Sequence, residues 1–306
     1  MAKHEKARPV TGQGRQAAVP PALTAATSLR ALQLKPQRPS RALLRFFDAY
    51  LHFFMRRHFH ALRLGGAQHW PGSMQQADGE PLLICLNHPS WWDPLTAILL
   101  SRWLEAAADH YAPMDAVAFS RYGILRRLGL FPVEQGTRLG AMQFLRGGAA
   151  VLHTVNSVLW VTPQGEFTDA RTRPVVLRGG LDALLQRVPR VTVVPLALEY
   201  TFWDERLPEA LALLGEPLHF TAASAAADAN VGGPGEKVAA ALALTQDALA
   251  RLAARRDPDL FISVLTGGAG TSGIYGVWQR LNARLRGKRF NAEHASLQGK
   301  SNSHEA

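Results

Sequence analysis

The sequence predicts an α/β fold with a largely parallel central sheet flanked by helices, preceded by an amphipathic helix. Three observations predict it. Short apolar runs alternate with helical stretches from about residue 80, at the spacing of βαβ units. The chain is 47% apolar over 306 residues, enough to bury a sizeable core. The charge is segregated: residues 1–64 carry twelve Lys/Arg against Glu5 and Asp48, while residues 65–306 carry 22 of each sign, so a neutral globular part follows a basic leader.

Taken in order, residues 1–39 are rich in Pro, Gln, Ala and basic side chains without a period and are expected to form a disordered basic arm. Residues 40–65, from Ser40 as N-cap to Gly65, place Arg41, Arg45, Asp48, His52 and Arg56 on one polar stripe among Leu, Phe, Tyr and Met. Such a helix either packs on the core or lies in a membrane interface, where cationic flanks and phenylalanines are favoured, and the two placements are compatible. Residues 66–260 form the globular domain. In it "PLLICLN" (81–87), "LGLFPVE" (128–134), "SVLWVTP" (157–163) and "VTVVPLALEY" (191–200) read as buried strands, with helices about 93–106, 120–127, 138–155, 177–187 and 236–256. Residues 261–306 comprise a glycine-rich link, "GGAGTSG", a basic amphipathic helix over 274–290 that either docks or touches a membrane, and a polar tail.

Several functions are disfavoured. "GGPGEK" lacks the spacing and the Ser/Thr of a P-loop, "GGAGTSG" follows no strand, and no G-x-S-x-G elbow is present. No His/Cys/acid cluster has metal-ligand spacing, so no metal and no resident cofactor are expected, and Cys85, alone, forms no internal disulfide. Isolated histidines such as His110, His153 and His219 read as surface or satisfied core residues. The charged start "MAKHEKARPV" lacks the apolar run of a secretory signal, and the window 82–100 carries Asn87, His88 and Asp93, too polar for a membrane span.

The stretch that carries chemistry is "LNHPSWWDPL", residues 86–95. Asp93-Pro94 suits a helix start, with Asp capping free N–H groups and Pro at the first helical position. In a second reading, compatible with the first, His88 emerges from a strand and bonds the Asp93 carboxylate through one ring nitrogen, leaving the other as a base near neutral pH. With no recognisable Ser or Cys nucleophile, the natural reaction is direct: His88 takes a proton from a substrate hydroxyl, which attacks an acyl carbonyl.

Asn87-His88-x4-Asp93 resembles the first motif of the glycerolipid acyltransferases, the family that includes the lysophosphatidic acid acyltransferases. Three further blocks follow in that family's order. "LGLFPVEQGTR" is similar to the second, "WVTPQGEF" to the third, and "VVPLALEY" to the fourth, together spanning roughly residues 80–220.

The resemblance implies a glycerol-3-phosphate acyltransferase-like fold and transfer of a fatty acyl group from acyl-CoA or acyl carrier protein to a lipid hydroxyl. His88 and Asp93 would be catalytic. Asn87, Arg138, Pro163, Gln164, Gly165 and Pro195 would bind substrate, with Arg138 gripping phosphate and backbone N–H groups around Gly165 holding the acceptor or the oxyanion. The expected partners are a membrane lipid surface, the acyl donor and a lipid alcohol, not nucleic acid, with peripheral attachment at the cytoplasmic face.

The chain departs from the family's Phe-Pro-Glu-Gly-Thr-Arg at the third block, where Gln164 replaces Glu and Glu166-Phe167 replace Thr-Arg. Arg171 and Arg173 either compensate or are surface residues, and Trp91 and Trp92 either line a pocket or pack. Because the third block is altered, a catalytically silent lipid-binding adaptor on the same fold is the alternative.

Overall fold

The apolar runs that alternate along the chain become strands of one mixed sheet in the computed structural model, which describes residues 36–71, 81–228 and 232–268. The nine strands are β1 (Ala61–Gly65), β2 (Leu82–Leu86), β3 (Asp109–Asp115), β4 (Leu130–Val133), β5 (Ser157–Val161), β6 (Arg190–Thr201), β7 (Glu209–Leu214), β8 (Leu218–Thr221) and β9 (Ile262–Thr266). Their order is β4-β3-β5-β2-β6-β7-β1-β9, with β8 pairing the first half of β6. Five pairings are parallel and three, β6–β7, β6–β8 and β1–β9, are antiparallel. The fold is therefore α/β with a mostly parallel sheet. The helices are α1 (Arg41–His58), α2 (Asp93–Leu104), α3 (Ala116–Arg121), α4 (Arg138–Leu152), α5 (Gly180–Leu185), α6 (Ala222–Asp228) and α7 (Pro234–Arg255).

Side-chain alternation along the strands divides the core. Leu82, Ile84 and Leu86 of β2 pack with Leu51 and Met55 of α1 and with Leu99 and Leu100 of α2. Leu83 and Cys85 point the other way, among Val151 of α4, Leu184 of α5 and Val238 of α7. Both faces are covered, which is why β2, β5 and β6 read as continuous apolar runs. Leu51 and Met55 are fully buried, and each stabilises the docked helix by ~1.5–3 kcal/mol.

The ends of the expected domain are drawn differently. The helix expected over 40–65 stops at His58, and Ala61–Gly65 form β1, hydrogen-bonded to β7 and β9. The boundaries at 65/66 and 260/261 thus fall inside or beside the sheet, because β1 and β9 complete one of its edges. Strands β3, β7, β8 and β9 lie outside the runs that read as strands. Short helix α3 and a 3-10 stretch (Gly123–Leu128) occupy the region where the sequence predicts one helix over 120–127. The expected arm over residues 1–35, the glycine-rich link beyond 268, the basic helix over 274–290 and the polar tail lie outside the described residues.

Candidate active site

Two neighbouring strands and one long one build the site. β2 lies between β5 and β6, and all three run parallel, so the loops leaving β2 and β5 emerge at one end of the sheet. β2 pairs with β6 only as far as Leu86 opposite Leu196, while β6 runs on to Thr201. The overshoot carries Leu198 and Tyr200 alongside the segment that follows β2.

Asn87 holds that segment in place. Its side chain is fully buried; Oδ1 accepts from Leu198 N at 2.7 Å and Nδ2 donates to Leu198 O at 3.0 Å. The amide stands in for one more peptide unit of the β2–β6 ladder. One donor and one acceptor of the amide are bonded to the backbone, so Asn87, expected to bind substrate, positions the segment that carries His88.

His88 comes next, with its side chain 19% exposed. Its Nδ1 lies 2.6 Å from Asp93 Oδ2. A carboxylate can only accept, so the proton sits on Nδ1 and Nε2 carries the lone pair; among the described residues Nε2 has no hydrogen-bond partner. Asp93, 1% exposed, is held at both oxygens. Oδ2 also accepts from Ser90 N at 3.0 Å, and Oδ1 accepts from the Tyr200 hydroxyl at 2.8 Å. Thr96 Oγ1 lies 3.1 Å from that hydroxyl and donates to it, since the single Tyr200 proton is already used. Burial first, and the Asp93 carboxylate second, push the Tyr200 hydroxyl well above the usual tyrosine range, which keeps it a donor.

The helix start expected at Asp93-Pro94 is in place, but the Asp93 side chain does not cap it. α2 begins at Asp93 with Trp92 in the cap position and Pro94 in the first turn, yet the carboxylate bonds residues 88, 90 and 200 rather than the free N–H groups of the helix. The two tryptophans part company. Trp92 packs between Phe54 and Phe59 of the α1 end, at ring centroid distances of 5.8 and 4.9 Å, whereas Trp91 is exposed.

The turn after β5 closes over His88. Gln164 Oε1 accepts from His88 N at 3.1 Å, so the amide that replaces the expected carboxylate still supplies an acceptor. Thr168 N donates to His88 O at 2.9 Å. Between these anchors the Phe167 ring lies on the imidazole, 4.3 Å between centroids, and is itself 62% exposed. Gly165 takes φ 71°, and a Cβ there would collide with the Arg178 guanidinium. Its N–H is spent on Thr162 O at 3.0 Å, so of the backbone N–H groups around Gly165 expected to hold the acceptor or the oxyanion, its own is already engaged. Arg178 bonds Pro163 O through its own N–H and Gln164 O through Nε.

A cavity of about 300 Å³ opens beside this turn, at the ends of β3, β4 and β5. Pro163, Gly165 and Arg178 form one wall and the first turn of α4 another, with Met114, Val133 and Phe144 supplying apolar surface. Arg138 is exposed at the first position of α4 and forms no part of the cavity wall, although Thr137 and Gly140 do.

Pro195 is not at the site. It is buried in mid-sheet opposite Cys85, where the outer edge of β6 changes partner from β8 (last pair Val193) to β7 (first pair Leu196). A residue without an N–H loses no ladder bond at that gap, and Gly215 N takes its carbonyl at 2.8 Å.

His110 is a satisfied core histidine. Its Nε2 donates to Glu105 O at 2.8 Å and Nδ1 accepts from Trp160 Nε1 at 3.0 Å. Tyr200 and Thr96 are the site residues that sequence reasoning misses. Tyr200 ends the fourth block, and a hydroxyl at the end of a buried apolar strand is the available signal. Among the described residues no group of three His, Cys, Asp or Glu side chains is placed to hold a metal ion. No protein-family model matches the chain, and no curated protein matches it at a significant level.

Proposed function

We propose that this protein is an O-acyltransferase working peripherally at a membrane surface, on a glycerol-3-phosphate acyltransferase-like arrangement of the sheet. It would move a fatty acyl group from acyl-CoA or acyl carrier protein to a lipid hydroxyl. The observation that carries the reading is the Asp93–His88 pair, 2.6 Å apart, with the acid buried and held by three donors and His88 Nε2 left with its lone pair. In this mechanism Nε2 accepts the proton of the acceptor hydroxyl as its oxygen attacks the thioester carbonyl. The C–S bond then breaks, and the thiolate leaves with the proton held by His88. Asp93 stabilises the imidazolium in between. The bonds from Ser90 N and the Tyr200 hydroxyl hold the acid in register.

The membrane part of the reading rests on α1. Its inner face docks through Leu51 and Met55, while Phe46, Tyr50 and Phe53 recur along the outer face at 73%, 48% and 60% exposure. Arg41, Arg45, Arg56 and Arg57 are exposed beside them, the composition of a helix lying in an anionic interface. Trp91 is also exposed and touches Trp92, which links that surface to the first motif. Among the described residues no helix is long and apolar enough to cross a membrane. In this reading the attachment is peripheral, at the cytoplasmic face. The Phe167 ring over His88 favours a second reading, a silent lipid-binding adaptor, because it narrows access to the base.

The test is thiol release from palmitoyl-CoA and palmitoyl-acyl carrier protein on anionic vesicles bearing a panel of lipid alcohols. His88→Ala is expected to lower acceptor-dependent release by ~10²–10⁴-fold without loss of fold. Equal rates in the wild type and the variant would remove His88 from the chemistry. Vesicle binding without turnover of any donor would leave the adaptor reading in its place.

A further inference from the structure

Two arginines of the segment that follows β5, Arg173 and Arg178, are already engaged, and the position where a phosphate-pairing arginine would be expected holds an aromatic ring. Arg173 bonds Asp247 and the carbonyls of Ala170 and Thr172. Arg178 is turned onto Gln164 O. Arg171 lies within electrostatic reach of Glu199. The residues that line the cavity beside the Pro163–Gly165 turn include Asp115, Glu134 and Arg178, and the rest of that wall is largely apolar. Thr137 Oγ1 already takes the N–H of Gly140 at the α4 start, and Arg138 is no part of the wall. A lipid phosphate brought to this turn would therefore lose water where Arg173 and the Nε of Arg178 are already bonded and the neighbouring cavity holds two acidic residues. An uncharged headgroup loses little at the same place and gains the exposed face of Phe167.

We propose that the acyl acceptor is an uncharged lipid alcohol, whose reacting hydroxyl reaches His88 past the Phe167 ring on a headgroup that carries no phosphate. This rests on the acyl-transfer reading above and names its substrate class. Phe167 then acts as the specificity residue. It offers an apolar surface in front of the base and withholds the cation that a phosphate would need.

The experiment pairs two acceptors that differ only in the phosphate: 1-oleoylglycerol and 1-oleoylglycerol-3-phosphate. Both are offered to the full chain with palmitoyl-CoA in neutral detergent micelles, so that vesicle charge plays no part, and the acylated products are separated by mass. The wild type is expected to favour the uncharged acceptor by at least about tenfold in kcat/KM, the worth of one charge-assisted hydrogen bond. Phe167→Arg, a change at an exposed side chain, is expected to raise the ratio of phosphorylated to neutral product about tenfold or more. Preference of the wild type for the phosphorylated acceptor, in turnover abolished by His88→Ala, overturns this inference and leaves acyl transfer standing. A ratio unmoved by Phe167→Arg removes the role given to that ring. If neither acceptor nor the wider panel of alcohols is acylated, the acyl-transfer reading and the inference built on it fall together.

Discussion

Replacing Asp93 by Asn tests whether the charge of this buried acid, and not only its shape, serves the reaction. The asparagine side chain can enter without rearrangement. Its oxygen takes the Oδ2 place, where His88 Nδ1 and Ser90 N both donate. Its NH2 then faces the Tyr200 oxygen, and the hydroxyl turns its proton to Thr96 Oγ1, 3.1 Å away. The histidine tautomer is kept and only the negative charge goes. That charge acts when His88 becomes imidazolium. With the charge centres about 4 Å apart and an effective dielectric constant of about 20, the attraction is ~4 kcal/mol. At ~1.4 kcal/mol per decade this corresponds to a fall of roughly 10³ in kcat, with KM little changed, since the attraction arises only as the imidazolium forms. The assay is acceptor-dependent thiol release, run beside urea unfolding to show an unchanged midpoint. A variant within about tenfold of the wild type, equally stable, would refute the claim that the Asp93 charge stabilises a developing imidazolium.

Two predictions concern the scaffold. Asn87→Asp keeps the acceptor for Leu198 N but sets a second carboxylate oxygen against Leu198 O inside the sheet, so a loss of ~3–5 kcal/mol in unfolding free energy is expected by urea titration; a loss under about 1 kcal/mol would show that the amide is not part of the sheet. Burial, the largest cause, pulls His110 down from 6.5 to about 4. The unfolded chain therefore takes up this proton first: the stability it confers is complete above pH 6.5 and fades as pH falls toward 4, by up to ~3 kcal/mol. His110→Gln is expected to flatten the pH dependence of unfolding over that interval, and an unchanged slope would count against a neutral His110.

The strands that read clearly are the ones buried on both faces. β2, β5 and most of β6 are unbroken apolar runs because helices cover both sides of them. β3, "DHYAPMD", looks nothing like a strand because its polar groups are satisfied from afar: Asp109 by Arg38 and His110 by Trp160. β7, "EALALL", has helical composition, and it is extended because β1 and β6 bond it on both edges. The same limit cuts the expected α1 short, since nothing local says that Ala61–Gly65 has a ladder waiting.

What the sequence determined by itself was local in its physics. Periodicity and apolar runs marked the central strands, charge placement marked the basic leader, and five positions of separation marked the His88–Asp93 pair. The tertiary structure decided which groups surround that pair. Tyr200 reaches Asp93 across 107 positions and Leu198 reaches Asn87 across 111, both because β6 lies beside β2 and runs past its end. Only the closed turn after β5 reveals that Gln164 serves the His88 backbone, that Phe167 covers its ring and that Gly165 has no N–H to offer. Hydrogen bonds and ring contacts of this kind depend on strand order and overshoot. Spacing along a chain encodes those only through the packing of the whole sheet.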